Sequence, residues 1–209
     1  LPALRMMLSG DGLKTLKVFN NALTEHFLKS EEEVNKISKP FSPDIIVYCR
    51  SHYLYLGGQW DLDNYGKKIA GFTEKYGYPP KVLLVKGLGV VAVGDNAAGA
   101  QVILDVFEDM MKIAWLAQSF GGEHPMTRTQ IDFIDNWEVE NYRRKVNAAA
   151  SAGRAENKTV VVTGAAQGFG EGIASCLLVQ GANIVVADLN EKAGMETARR
   201  LSESAKSNR

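Results

Sequence analysis

Cysteine is scarce in this 209-residue chain: Cys49 and Cys176 stand far apart and flank no motif, so a disulfide-built scaffold is excluded and a reduced, cytoplasmic setting is expected. Histidine is scarcer than a metalloenzyme would suggest, with His26, His52 and His124 and no HxH pair. No apolar run approaches the ~20 residues that cross a bilayer. No dense basic stretch occurs, and Lys and Arg balance Asp and Glu at 24 each, which argues against nucleic acid or an anionic membrane as partner. The opening LPALRMML has no initiator Met, no basic n-region and no cleavage site, so it reads as an entry partway into a larger protein rather than a signal peptide. Internal repeats are absent too.

What is present is an alternation of helical and strand patterns. A strand is expected at Leu16–Phe19. Ser30 with Glu33 forms a capping box whose acidic run reads as a solvated first turn. Pro40 and Pro43 are read as breakers, and Asp44–Leu56, DIIVYCRSHYLYL, as one or two strands rich in β-branched and aromatic residues. A helix over Asp63–Tyr76 precedes two buried strands in Lys81–Gly94, hinged at Gly87 and Gly89. Asp95 is the expected cap of a long helix reaching Phe120. Its core stripe reads as Val102, Val106, Met110, Ile113 and Ala117, widened by Phe107, Ala114 and Leu116. Thr127 and Gln130 open a further helix with Ile131, Ile134, Tyr142 and Val146 on its apolar face. The small-residue run Ala148–Asn157 reads as a domain boundary.

Beyond it the pattern is strand 159–163, helix 169–180, strand 183–188 and helix 191–206. Between the first two stands TGAAQGFGEGIA, in which Gly164, Gly168 and Gly170 are spaced TGxxxGxG. Glycines there permit a tight turn and close backbone approach, and the following helix N-terminus offers free N–H groups to a pyrophosphate. Asp188 ends the second strand, 18 residues past Gly170, where a carboxylate can accept both ribose hydroxyls of an adenosine and repel a 2′-phosphate, favouring NAD over NADP. A structural α/β unit is the plainer alternative. Gly168–Gly172 also fits the GxGxG of S-adenosylmethionine methyltransferases, whose glycines, however, follow the strand directly.

TGAAQGFGEGIA and VVADLN resemble the short-chain dehydrogenase/reductase family. That resemblance implies that Gly164, Gln167, Gly168, Phe169 and Gly170 line the pyrophosphate and nicotinamide-ribose side, with Asp188 on the adenosine ribose and Leu189 beside the adenine. The family's Ser and YxxxK lie well downstream of its cradle, whereas no Tyr follows residue 163 here, and Tyr142-Arg143-Arg144-Lys145 has the wrong spacing and place. No catalytic residue is therefore assigned. PDIIVYC, KGLGVVAVG, SFGGEHPM and IDFIDNWEVENYRRKV, leading into the cradle, resemble bifunctional rhamnulose-1-phosphate aldolase/lactaldehyde (alcohol) dehydrogenases.

The implied fold is α/β: the C-terminal part of an aldolase-like α/β domain, then the first β-α-β-α of a Rossmann domain. Residues 1–126 fall to the aldolase-like half, 127–157 to a linking helix and linker, and 158–209 to the NAD-binding part. The chain is thus expected to be a fragment of a homo-oligomeric NAD enzyme acting on a small aldehyde or alcohol, with no nucleic acid or membrane partner. A zinc ion would belong to the aldolase half. The related His–Gly metal motif aligns with Leu88 in this chain, so no metal ligand is assigned. Cys49 and His52 read as strand alternation, and His124 as an ordinary loop histidine, with the edge of a pocket as the lesser alternative. A non-catalytic nucleotide-binding or assembly module is the competing reading.

Overall fold

The computed structural model describes residues 1–10, 12–136 and 153–207. Tyr142, Lys145 and Val146 therefore lie outside the described residues. The chain divides into two compact units, Leu1–Ala148 and Ala149–Arg209, each α/β. No described helix is long and apolar enough to cross a membrane.

The first unit is built on a four-stranded sheet of order β1-β4-β3-β2, with β1 Thr15–Phe19, β2 Leu54–Leu56, β3 Val82–Val85 and β4 Gly89–Gly94. The β1–β4 and β3–β4 pairs are antiparallel, and β2–β3 is parallel. Every residue of β3 and β4 is buried, because both faces of the sheet are covered. Alternate side chains feed two cores. Val82, Leu84, Val90 and Ala92 enter one with Phe27, Phe107, Met110 and Met111. Leu83, Val85, Val91 and Val93 enter the other with Leu4, Leu8, Tyr65 and Ile69. The second core is closed by α1 Pro2–Leu8 and α5 Leu62–Tyr76; the first by α2 Ala22–Leu28, α3 Glu31–Lys36, α4 Pro43–Cys49 and α6 Ala97–Ala117. A short 3-10 turn, Gln118–Phe120, extends α6, and α7 spans Arg128–Asn136.

Several local expectations hold. Ser30 Oγ accepts from the Glu33 N–H at 3.3 Å. Thr127 and Gln130 cap reciprocally, each backbone N–H donating to the other's side chain at 2.9 and 3.4 Å. Gly77 closes α5 in the left-handed region, φ 76°. Glu33 is no solvated residue, however. Its carboxylate meets Lys36 Nζ at 3.0 Å and His26 Nε2 at 3.1 Å, and the Lys36 hydrogen bond holds it below the usual carboxylate range.

Two larger expectations change. DIIVYC is helix α4, not strand: Pro43 sits in its first turn, and Ile45, Ile46 and Cys49 turn inward at helical spacing. Pro43 is a starter here because its missing N–H is not needed at that position, and burial against α6 overrides β propensity. In α6, capped by Asn96 rather than Asp95, the inward face is Ala100, Ile103, Leu104, Phe107, Met110, Met111 and Ala114. Val102, Ile113 and Leu116 are exposed. This helix is apolar nearly all round, so periodicity alone leaves its rotation open. The sheet selects it: a Cβ on Gly94 would collide with the backbone of Ala100, and that close approach pins the first turn.

The second unit has β5 Thr159–Thr163 and β6 Asn183–Ala187 in parallel, with α8 Gly168–Val179 between them and α9 Glu191–Ser207 after. Val162, Ala165, Ala174 and Leu201 form its core, with Val160, Leu177, Leu178, Ile184 and Val186 packed around it. Gly194, Thr197, Ala198 and Leu201 give α9 its inward stripe at helical spacing, the first, second and fourth buried.

Candidate cofactor-binding site

β5 ends at Thr163, and the chain reverses through Gly164 (φ 64°) and enters α8 at Gly168 (φ 63°). Both conformations lie in the left-handed region that side chains disfavour. Gly170 answers a different need. A Cβ there would run into the Gly164 carbonyl, so its bare backbone lets the helix start pack directly on the turn. Gln167 occupies the N-cap with extended backbone and supplies no side-chain cap. Without that cap, the first-turn N–H groups of α8 are not answered by Gln167, and a helix N-terminus of this kind suits an anion.

At the other end of the cradle, Asp188 stands just past β6. Its Oδ2 accepts from the Ala166 N–H at 2.9 Å and its Oδ1 from the Asn190 N–H at 2.9 Å. These backbone donors, Asn190 first, hold the carboxyl below the usual range. Each oxygen keeps acceptor capacity for a further donor, so an oriented, ionised acceptor faces solvent beside the turn. Phe169 and Leu189 are almost fully exposed, at 94% and 106%. Their side chains are free to border a ligand, and burial does not explain them. Gly164, Gln167, Gly168, Phe169, Gly170, Asp188 and Leu189 are thus brought to one side of one βαβ unit. The residues present fit a dinucleotide: glycines at two left-handed positions and at one close backbone approach, amides at a helix N-terminus, and an anchored carboxylate.

Thr197 was not singled out by sequence reasoning. The residue is 1% exposed, its hydroxyl donates to the Ala166 carbonyl at 2.7 Å, and Arg200 Nη2 reaches both Thr197 Oγ1 at 3.0 Å and Glu171 Oε1. Its place on the buried stripe of α9 was the available signal.

In the first unit, Cys49 and His52 do not alternate on a strand. Cys49 ends α4 and directs its thiol to the Ile103 carbonyl at 3.6 Å, where burial pushes its pKa up to about 12. His52 lies in the following turn, stacked on Tyr76 at 3.9 Å with Nδ1 3.0 Å from the Tyr78 hydroxyl. Leu88 packs on the second core and has no donor atom to offer. His124 borders an open apolar groove of about 420 Å³ with Phe41, Ile113, Leu116 and Phe120. Among the described residues no three His, Cys, Asp or Glu side chains gather as a metal ion requires. The described residues do not fit a zinc centre.

Comparison with known proteins follows the same division. Residues 158–208 match the short chain dehydrogenase family model, and residues 1–143 match that of aldolase class II, second domain. The uncharacterized oxidoreductase YuxG of Bacillus subtilis (strain 168) is 23% identical over 125 residues, covering 60% of this chain and 18% of that protein. The short chain dehydrogenase/reductase astE of Aspergillus oryzae (strain ATCC 42149 / RIB 40) is 49% identical over 47 residues, 22% of this chain and 18% of that protein. The chain therefore spans 18% of the length of each of these curated relatives. The crystal structure of YgbL from Escherichia coli is 15% identical, covers 57% of this chain and 56% of its own, and has a TM-score of 0.39, too slight a likeness to build on. With 143 of its 209 residues matched, the chain belongs to the class II aldolase second-domain family, and it carries short-chain dehydrogenase sequence joined after that domain.

Proposed function

We propose that this chain contributes the NAD-binding cradle of a dehydrogenase fused to a sugar-phosphate aldolase. The single observation that carries the reading is the cradle's construction, with Gly170 bare against the Gly164 carbonyl and Asp188 anchored by Ala166 and Asn190. Gly164 and Gly168 shape the turn, and the first-turn amides of α8 hold the pyrophosphate. Asp188 accepts the adenosine ribose hydroxyls, and its fixed charge opposes a 2′-phosphate, which supports NAD over NADP. The nicotinamide, when bound, supplies hydride exchange with an aldehyde or alcohol.

The sequence resemblance supports lactaldehyde as the carbonyl substrate, released with dihydroxyacetone phosphate when the aldolase part cleaves rhamnulose 1-phosphate. With no Tyr after residue 163 to serve in a YxxxK pair, the cofactor residues of this chain act without the hydride-transfer acid, and the chain by itself binds rather than turns over. A zinc ion, if the aldolase step uses one, takes its ligands from residues other than those described.

Amide-resolved NMR of the chain titrated with NAD tests the reading. Shifts are expected at Gly164–Gly172 and Asp188–Asn190, with NADP weaker and S-adenosylmethionine without effect. Shifts caused by S-adenosylmethionine alone, or none with NAD at millimolar concentration, would overturn it.

A further inference from the structure

We infer that Arg200 is a positioning residue for the dinucleotide: it neutralises Glu171 and braces the glycine turn, leaving the start of α8 open to a diphosphate. The inference rests on the dinucleotide reading of this same site and extends it to α9.

Glu171 stands in the first turn of α8. A carboxylate there is favoured by the helix dipole, but the same positive end is what a diphosphate needs. The two anions compete for one potential unless the carboxylate is answered from elsewhere. Arg200 answers it, with Nη2 donating to Glu171 Oε1 and, at 3.0 Å, to Thr197 Oγ1. The two hydrogens on Nη2 can serve both acceptors. The Thr197 hydroxyl donates onward to the Ala166 carbonyl at 2.7 Å, and the Ala166 N–H donates to Asp188 at 2.9 Å. One line of contacts thus joins the charge at the diphosphate end to the acid at the ribose end.

The Arg200 side chain is half exposed and that of Glu171 about a third, at 50% and 32%. A pair this open contributes little to folding. Its effect on an arriving anion is long-range and salt-dependent, which separates positioning from mere support.

The test uses the full chain, titrated with NAD, inorganic pyrophosphate and adenosine, as Arg200→Gln, Arg200→Lys, Glu171→Gln and the Arg200→Gln/Glu171→Gln pair. Arg200→Gln is expected to weaken NAD and pyrophosphate about three- to tenfold at low salt and less at high salt. Adenosine, which has no phosphate, binds as before. Arg200→Lys retains most of the affinity, and Glu171→Gln restores it in the double variant. Unchanged NAD affinity in Arg200→Gln, an equal loss for adenosine, or a loss that Glu171→Gln does not reverse overturns the inference and leaves the dinucleotide reading standing. Failure of the unsubstituted chain to bind NAD overturns both. Should Arg200→Gln not fold, Glu171→Gln alone decides: tighter pyrophosphate binding is expected, and unchanged affinity overturns the inference.

Discussion

Gly170 and Gly172 are two residues apart on α8, yet their surroundings assign them opposite sensitivities. A Cβ on Gly170 meets the Gly164 carbonyl, whereas a Cβ on Gly172 meets nothing within 4 Å. Gly170→Ala should destabilise the second unit by about 1–3 kcal/mol through overpacking and abolish NAD-induced shifts. Gly172→Ala should be neutral or stabilise by about 0.5–1 kcal/mol as a helix substitution. Thermal unfolding of the two variants, with the NAD titration repeated on each, checks the contrast. The spacing of these glycines was legible because a turn between strand and helix is local. Which glycine guards the close approach was not, since that depends on how α8 lies across the turn.

His52 gives a second test at this scale. Burial lowers its pKa below 6.5, against the opposing influence of Asp135. The unfolded chain therefore takes up a proton at a pH where the folded one does not, so stability is intact above about 6.5 and falls as pH drops toward the folded value. Denaturation of the chain across that window should show the loss, and His52→Gln should flatten the slope. An NMR titration placing His52 at or above its ordinary value would contradict the assignment.

Among the elements, α4 and α6 show where pattern reading stops. The DIIVYC stretch carries strong β propensity, and Pro43 looks like a terminator. Yet Ile45, Ile46 and Cys49 are buried as one helical face, and Cys49 reaches Ile103 of α6. A partner distant in sequence decided the conformation. In α6 the element itself was legible from its length, but its cap fell one residue later than expected, at Asn96, and its rotation came from the Gly94–Ala100 approach. The β3–β4 hairpin was the clearest reading, because Gly87 (φ 80°) and Gly89 (φ 124°) punctuate two uninterrupted apolar runs. In α9, Thr197 is inward-facing and hydrogen-bonded to the turn. Thr197→Val keeps the shape and removes the donor, so a loss of about 1 kcal/mol is expected, measurable by denaturant unfolding.

The whole molecule carries very unequal cores. The first unit has two buried clusters, one on each side of a four-stranded sheet. Among the described residues the second has a buried apolar cluster of four over a two-stranded sheet, with Val161 and Val185 exposed at 61% and 46%. Local stability follows buried apolar contact, so native-state hydrogen exchange should find the β3 and β4 amides slowest and those of β5 and β6 faster. Equal protection in both units would refute that ranking. From residue order alone came the α/β class and the strand–glycine–helix–strand–acid sequence of the cradle, because each is written in short-range spacing or in runs of recognisable composition; the aldolase-to-dehydrogenase succession came from resemblance to a known family. Only the tertiary structure decided that Asp188 is tied to Ala166, that Thr197 and Arg200 of α9 reach Ala166 and Glu171, and that DIIVYC is helical. Those outcomes depend on contacts between segments remote in the chain, where packing overrules the preference of any single stretch.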